Sequence, residues 1–139
     1  MRPGRLMQRA GASSIYPRSM HLLSQLLIGL VALIHSYILW LEMFAWTTLG
    51  PKTFRSLRAD LFVPTKVLAA NQGLYNGFLA AGLVWALLIT NPAWHRNVGA
   101  FFLGCVAVAG IHGAFTAGKR ILLVQTVPAL LALAALQLA

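Results

Sequence analysis

Polar side chains recur inside otherwise apolar stretches of this chain, and their types suit the binding of a proton or a small polar ligand. Glu42 follows His35 by seven residues, so two helical turns place both on one face of a helix. A carboxyl and an imidazole can both accept and release protons. The neighbouring apolar stretches add amide, phenol and imidazole groups, namely Asn71, Gln72, Tyr75, Asn76 and His112. An unpaired polar group is costly in apolar surroundings, so these seven residues form the candidate site.

The composition places that candidate site in a membrane protein. The 139 residues are 59% hydrophobic and 9% charged, which is too apolar for a water-soluble enzyme or a disordered chain. Cys105 is the single cysteine, so a secreted disulfide scaffold is excluded. The net charge of +9 comes from eleven basic residues and two acids, Glu42 and Asp60. The basic residues lie between apolar runs and not on a soluble module, so we expect no nucleic-acid partner.

Four apolar segments, near residues 21–47, 64–90, 98–118 and 121–138, are each close to the length that a helix needs to cross a bilayer. Pro64 suits the first turn of the second segment, and Asn91-Pro92 ends it. Gly118 ends the third, and Lys119-Arg120 makes a tight turn into the fourth. The sequence therefore predicts an all-α membrane protein, with residues 20–139 forming an antiparallel bundle of four transmembrane helices.

Residues 1–19 differ from the rest because they contain four arginines and no acid. They are either an ordered basic anchor or a disordered extension before a start near Met20, and their composition favours disorder. With this extension, five basic residues lie on each side of the bilayer. Without it, Arg96 alone faces five, and the positive-inside rule predicts that the first and third loops are cytoplasmic and that both termini are outside.

The expected depths of the polar residues predict a pocket among the first three spans that opens toward the cytoplasm. Counting from the loop side puts Glu42 shallow, with Lys66 or Lys119 as its charge partner at the mouth, and puts His35 and Asn76 near the middle. The alternative is that the amides only hydrogen-bond neighbouring helices and hold the bundle together.

Small residues at four-residue spacing predict where helices approach closely. Gly73 and Gly77 form a GxxxG pair in the second span, and Gly110 and Ala114 continue a similar row in the third. We favour contacts within the chain over a dimer interface at these positions.

The histidines raise the question of a metal or haem site. His35 is expected about six residues deeper than His112, roughly 9 Å along the helices, which suits opposite faces of one haem poorly. His35, His112 and Glu42 offer zinc ligand types without zinc-motif spacing. The sequence therefore predicts no cofactor and no metal.

Three stretches resemble domain-of-unknown-function family 1304: LEMFAWTT at 41–48, TKVLAANQGLYNGFLAAGL at 65–83 and GKRILLVQTVPALLAL at 118–133. The resemblance runs from Met20 to the C-terminus. It implies a small, mostly bacterial, multi-pass plasma-membrane protein with four helices, and it implies no activity. Glu42, Asn71, Gln72, Tyr75 and Asn76 lie within these stretches, whereas His112 lies outside them.

Three functions are compatible with these features. The leading hypothesis is a small bundle, as a homodimer or larger oligomer, that holds a small ligand or a proton at the polar cluster. The alternative is an accessory subunit that stabilises a larger membrane complex. A third is a membrane enzyme acting on a lipid or quinone, with Glu42 and His35 as acid and base about 10.5 Å apart along the helix.

Overall fold

The computed structural model describes residues 18–139, which form five α-helices, two short helical turns and no strand. In chain order the elements are α1 (Arg18–Phe44), α2 (Gly50–Thr53), a 3-10 turn (Ala59–Leu61), α3 (Lys66–Leu88), α4 (Pro92–Thr116), a π-helical turn (Leu122–Thr126) and α5 (Val127–Leu138). The predicted all-α class is confirmed. The helix count differs from the prediction because α2 forms in the first connection.

Two predicted boundaries were wrong for local reasons. Helix α4 begins at Pro92 and not near residue 98, because Asn91 Oδ1 accepts a hydrogen bond from the Trp94 amide at 3.1 Å and Pro92 suits the first turn. Helix α1 begins at Arg18, so Arg18 and Ser19 belong to the bundle and not to the basic extension. The predicted disorder of that extension otherwise concerns residues 1–17, which lie outside the described residues.

The four long helices pack in a ring. Helix α1 contacts α3 and α5, and α4 contacts the same two helices, so α1 and α4 lie diagonally opposite each other. The centre is filled by aliphatic side chains and by small residues that let the helices approach. The fully buried members of this core include Ile28, Leu83, Leu103, Val106, Ala129 and Ala132.

The connection from α1 to α3 packs around Trp46. Trp46 Nε1 donates to Thr65 Oγ1 at 3.1 Å, and the Trp46 ring lies 5.0 Å from that of Phe62, which is buried. Phe54 contacts the same tryptophan at 5.3 Å between ring centroids. This aromatic cluster joins Trp46, just after α1, to the residues directly before α3.

The connection from α4 to α5 is short. Gly118 has a φ of +152°, which L side chains rarely adopt, and its amide donates to the Gly113 carbonyl at 3.1 Å. The last helical segment then contains the π turn directly before Pro128, whose ring lacks an N–H donor.

Two helices, Arg18–Phe44 and Pro92–Thr116, are long and apolar enough to cross a membrane. Helix α3 has sufficient length, but its amides lower its hydropathy, and Leu122–Leu138 is apolar but shorter. Length and composition therefore give weak support for membrane association.

Candidate functional site

Two glycines bring α3 close to α1. A Cβ atom on Gly73 would lie 2.7 Å from Met43 Cγ and 3.0 Å from the Leu39 carbonyl oxygen, and one on Gly77 would overlap the Leu39 side chain. These contacts show that the GxxxG pair packs within the chain. We call this contact, formed by Leu39, Glu42, Gly73, Asn76 and Gly77, the seam.

The seam joins two of the predicted site residues. Asn76 Nδ2 donates to Glu42 Oε2 at 2.9 Å and to the Gln72 carbonyl oxygen at 3.1 Å. Both Glu42 and Asn76 are half-buried. The close approach at Gly73 makes this bond possible, because a Cβ there would also lie 3.1 Å from Glu42 Cβ. The carboxyl thus has one neutral donor and one edge toward the molecular surface.

The remaining polar residues of α3 flank this pair on the outside. The side chains of Asn71 and Gln72 are exposed. Tyr75 is 63% exposed, and its ring meets Phe78 edge to face at 6.1 Å. The Glu42–Asn76 pair therefore continues into a strip of exposed polar side chains on α3. The pair is not enclosed in a pocket.

The expectation of one pocket among the first three spans was wrong. Because α1 and α4 lie diagonally opposite, His112 does not face Glu42, and its side chain is exposed on α4. His35 is fully buried, and its Nδ1 lies 2.9 Å from the Val31 carbonyl oxygen. A carbonyl only accepts, so Nδ1 carries the proton, and Nε2 has no partner among residues 18–139.

The expected charge partners of Glu42 were also wrong. Lys66 and Lys119 are both exposed, and the one ion pair within residues 18–139 joins Arg58 to Asp60. Lys66 begins α3 ten residues before Asn76, about 15 Å along the helix. Lys119 follows α4, on the far side of the bundle from α1. An amide therefore takes the place that was expected for an ammonium group.

Glu42 lies two residues before the end of α1, near the end of its span as expected, but its level relative to α3 differs from the prediction. The contact with Gly73 places Glu42 beside the seventh residue after the start of α3, about 10 Å along that helix. Asn76, which was expected deeper, is therefore within hydrogen-bonding reach of Glu42. Glu42 and Asn76 therefore lie at a similar level inside the bundle.

The small residues of α4 contact the last segment. A Cβ on Gly110 would overlap Thr126 Oγ1 and lie 3.0 Å from Gln125 Cβ, whereas Ala114 is half-buried one turn later. Thr126 Oγ1 also donates to the Ala107 carbonyl at 3.5 Å. No three His, Cys, Asp or Glu side chains gather in the described part of the chain.

Sequence reasoning missed a second polar group, at the opposite end of the bundle. The imidazoles of His21 and His95 stack at 6.1 Å with an interplanar angle of 16°. Neither was singled out, because His21 begins the first predicted span and His95 lies in a predicted loop. The Asn91-Pro92 pair was the available signal, since an N-cap followed by proline places His95 in the first turn of a helix.

Comparisons with known proteins agree with the resemblance noted in the sequence. Residues 29–137 match the family model described as Protein of unknown function (DUF1304). The chain belongs to this family. It is also similar to the Uncharacterized protein YpaA of Lactococcus lactis subsp. lactis (strain IL1403), with 30% identity over 116 residues that cover 82% of this chain and 96% of the relative. No solved structure gives a significant match.

Proposed function

We propose that this DUF1304 protein is a multi-pass integral membrane protein in which α1, α3, α4 and the Leu122–Leu138 segment span the bilayer. The support is the distribution of apolar side chains. The core is rich in alanine and glycine, while large hydrophobic residues on the long helices face outward, including Leu33, Phe101 and Phe115 at 67%, 66% and 87% exposure. A surface of this kind is unfavourable in water and favourable against lipid.

The charged residues favour one orientation in the plasma membrane. Lys52, Arg55 and Arg58 lie in the first connection and Lys119 and Arg120 in the third, whereas the described residues at the opposite end carry Arg18, at the start of α1, and Arg96, in the first turns of α4. The positive-inside rule then assigns the first and third connections to the cytoplasm.

Within this membrane protein, Glu42 is the residue that binds a proton or a small cationic ligand. The observation that carries the proposal is the Glu42–Asn76 hydrogen bond, which fixes a half-buried carboxyl from the last turn of α1 beside a neutral amide, at a level about 10 Å from the start of α3. A charged carboxylate at that depth requires a balancing positive charge, and the neutral form requires a proton. Asn76 orients the carboxyl and leaves its other oxygen available.

A second candidate function, an accessory subunit or homodimer, is favoured by the outward position of the α3 strip. Asn71, Gln72 and Tyr75 are exposed on the side that would face lipid. Amide groups there gain from hydrogen bonds to another protein. An enzyme that uses His35 as acid or base has less support, because the His35 side chain is fully buried.

The two candidates are separated by comparing wild type with Glu42→Gln and Gln72→Leu in detergent. Native mass spectrometry reports bound small molecules and oligomers, and thermal unfolding reports stability. A ligand that leaves with Glu42→Gln at unchanged melting supports the binding function. An oligomer that dissociates with Gln72→Leu supports the subunit function. Gln137→Leu, an exposed glutamine on α5, is the matched control.

A further inference from the structure

A cavity of roughly 350 Å³ lies at the end of the bundle opposite the aromatic cluster of the first connection. The first turns of α1 and α4, the last turn of α3 and the end of α5 meet there. We call it the end pocket; its polar lining consists of His21, Gln25, Thr90, His95 and Arg96. Aliphatic residues that include Leu87 and Leu136 complete its wall.

His95 is the most constrained polar group of the end pocket. It is 8% exposed, and its Nδ1 lies 2.7 Å from the Ala86 carbonyl oxygen. Because that carbonyl only accepts, Nδ1–H is the donor, and Nε2 is the nitrogen left for another partner. Nε2 is buried and has no hydrogen-bond partner among residues 18–139. Leaving such a group unsatisfied is unfavourable, and because Nε2 then accepts, a ligand that donates a hydrogen bond to it gains affinity.

The charge of the end pocket is positive and the chain cannot neutralise it with an acidic side chain. The two acids of the sequence are Glu42, which lies in the seam, and Asp60, which pairs with Arg58 at 2.7 Å. Arg96 adds a guanidinium with five donors, and the N-terminus of the 25-residue α4 adds a partial positive charge. The C-terminal ends of α3 and α5, with Ala139, bring carbonyl oxygens to the same pocket.

The depth of the end pocket relative to the proposed bilayer is marked by tryptophans. Trp94 directly precedes His95 and is 62% exposed, and Trp85 in the last turn of α3 is 56% exposed. Exposed tryptophans at helix ends are typical of the boundary between lipid and water. Phospholipid phosphates lie at that level.

We propose that the end pocket binds a phosphate group through Arg96, His21 and His95. The guanidinium and Gln25 donate to its oxygens. A free hydrogen phosphate can also donate its P–OH to the Nε2 lone pair of His95, whereas a phospholipid phosphodiester has no P–OH to donate. An anionic phospholipid headgroup and a free phosphate share the contacts with Arg96, His21 and Gln25. The lipid source depends on the proposed membrane placement, whereas the phosphate site itself does not.

The test measures binding of two probes to the purified full chain in a neutral detergent. The probes are short-chain phosphatidylglycerol, with phosphatidylcholine as reference, and inorganic phosphate. Native mass spectrometry measures how much lipid is bound, and thermal unfolding measures the change in melting temperature that each probe causes. The variants are Arg96→Gln and His95→Gln. The matched control is Arg120→Gln, which removes the same charge at the opposite end of the bundle.

We expect phosphatidylglycerol to bind in preference to phosphatidylcholine and to bind roughly ten-fold more weakly to Arg96→Gln, as expected for loss of a charged hydrogen bond. Arg120→Gln should bind phosphatidylglycerol with the affinity of wild type. Stabilisation by phosphatidylglycerol alone supports the headgroup, and equal stabilisation by inorganic phosphate supports a free phosphate. The proposal is overturned if neither probe binds, or if Arg96→Gln and Arg120→Gln weaken binding equally. Arg96 is exposed, so this variant tests the site even if His95→Gln fails to fold.

Discussion

The seam and the end pocket are both polar places in an apolar bundle, but they are built differently. The seam joins Glu42, in the last turn of α1, to Asn76, near the middle of α3, and has a neutral hydrogen bond at its centre. The end pocket collects side chains from four helix ends and is positively charged. Within one chain, a carboxyl inside the bundle suits a proton or cation, and a basic cluster at the rim suits an anion.

The largest expected effect comes from disrupting the close helix packing at the seam. Gly73→Leu places side-chain atoms against Met43 and the Leu39 carbonyl, which is backbone and cannot move aside cheaply. We expect a loss of about 3 kcal/mol in the free energy of unfolding, measured in detergent by denaturant or heat. Gly104→Ala is the control, because nothing lies within 4 Å of a Cβ there. The free energy of unfolding of this control should rise by up to about 1 kcal/mol, because alanine has a higher helix propensity than glycine. Equal melting of the two variants would contradict the packing.

The next effect compares the two buried histidines. His95→Leu removes a 2.7 Å bond to the Ala86 carbonyl at a helix end and should destabilise by about 1 to 2 kcal/mol. His35→Leu removes a bond to Val31, a carbonyl inside α1 that also serves the helix, so its effect should be close to zero. Chemical unfolding of both variants in one detergent gives the comparison, and a larger loss for His35→Leu would refute it.

A smaller effect isolates the polar bond of the seam. Asn76→Ala removes the donor to Glu42 and should reduce the free energy of unfolding by about 1 kcal/mol, as interhelical hydrogen bonds in membranes do. Asn71→Ala, an exposed neighbour with no side-chain hydrogen bond in the described residues, should stay within about 0.5 kcal/mol. Equal free energies of unfolding for the two variants would mean that the Glu42–Asn76 bond does not stabilise the fold.

The smallest expected effect comes from outside both regions and provides a baseline. Arg58 and Asp60 form a bidentate pair, but their side chains are 78% and 61% exposed. Arg58→Ala should change the free energy of unfolding by less than about 1 kcal/mol, and added salt should reduce the difference. A change as large as that of His95→Leu would show that the first connection stabilises the bundle more than its exposure indicates.

The all-helical class was predictable because long apolar runs are separated by charges, proline and glycine. The pair formed by Glu42 and Asn76 lay within the predicted cluster, since polar residues in apolar runs are conspicuous. Their relative depth was not predictable by counting, because it is set by the packing of α1 against Gly73 and Gly77. Helix order around the ring also escaped prediction, because hydropathy does not show that α1 and α4 are diagonal. That arrangement removed His112 from the cluster.

The end pocket was missed for a different reason. His21, His95 and Arg96 lie at span ends, where polar residues are ordinary and carry no penalty that would draw notice. Only the arrangement of four helix ends brings them together. Sites inside the bundle are therefore easier to predict from sequence than sites at its rim.

The most direct test of the central claim, that Glu42 binds a proton or a cation, is a binding titration with tetraphenylphosphonium as the cationic probe. Wild type should bind the probe, and its affinity should rise with pH because the cation requires the deprotonated carboxyl. Glu42→Gln keeps an oxygen that accepts from Asn76, so it should melt like wild type and bind the probe at least about ten-fold more weakly at every pH. Equal binding by the two proteins, with no dependence on pH, would contradict the claim.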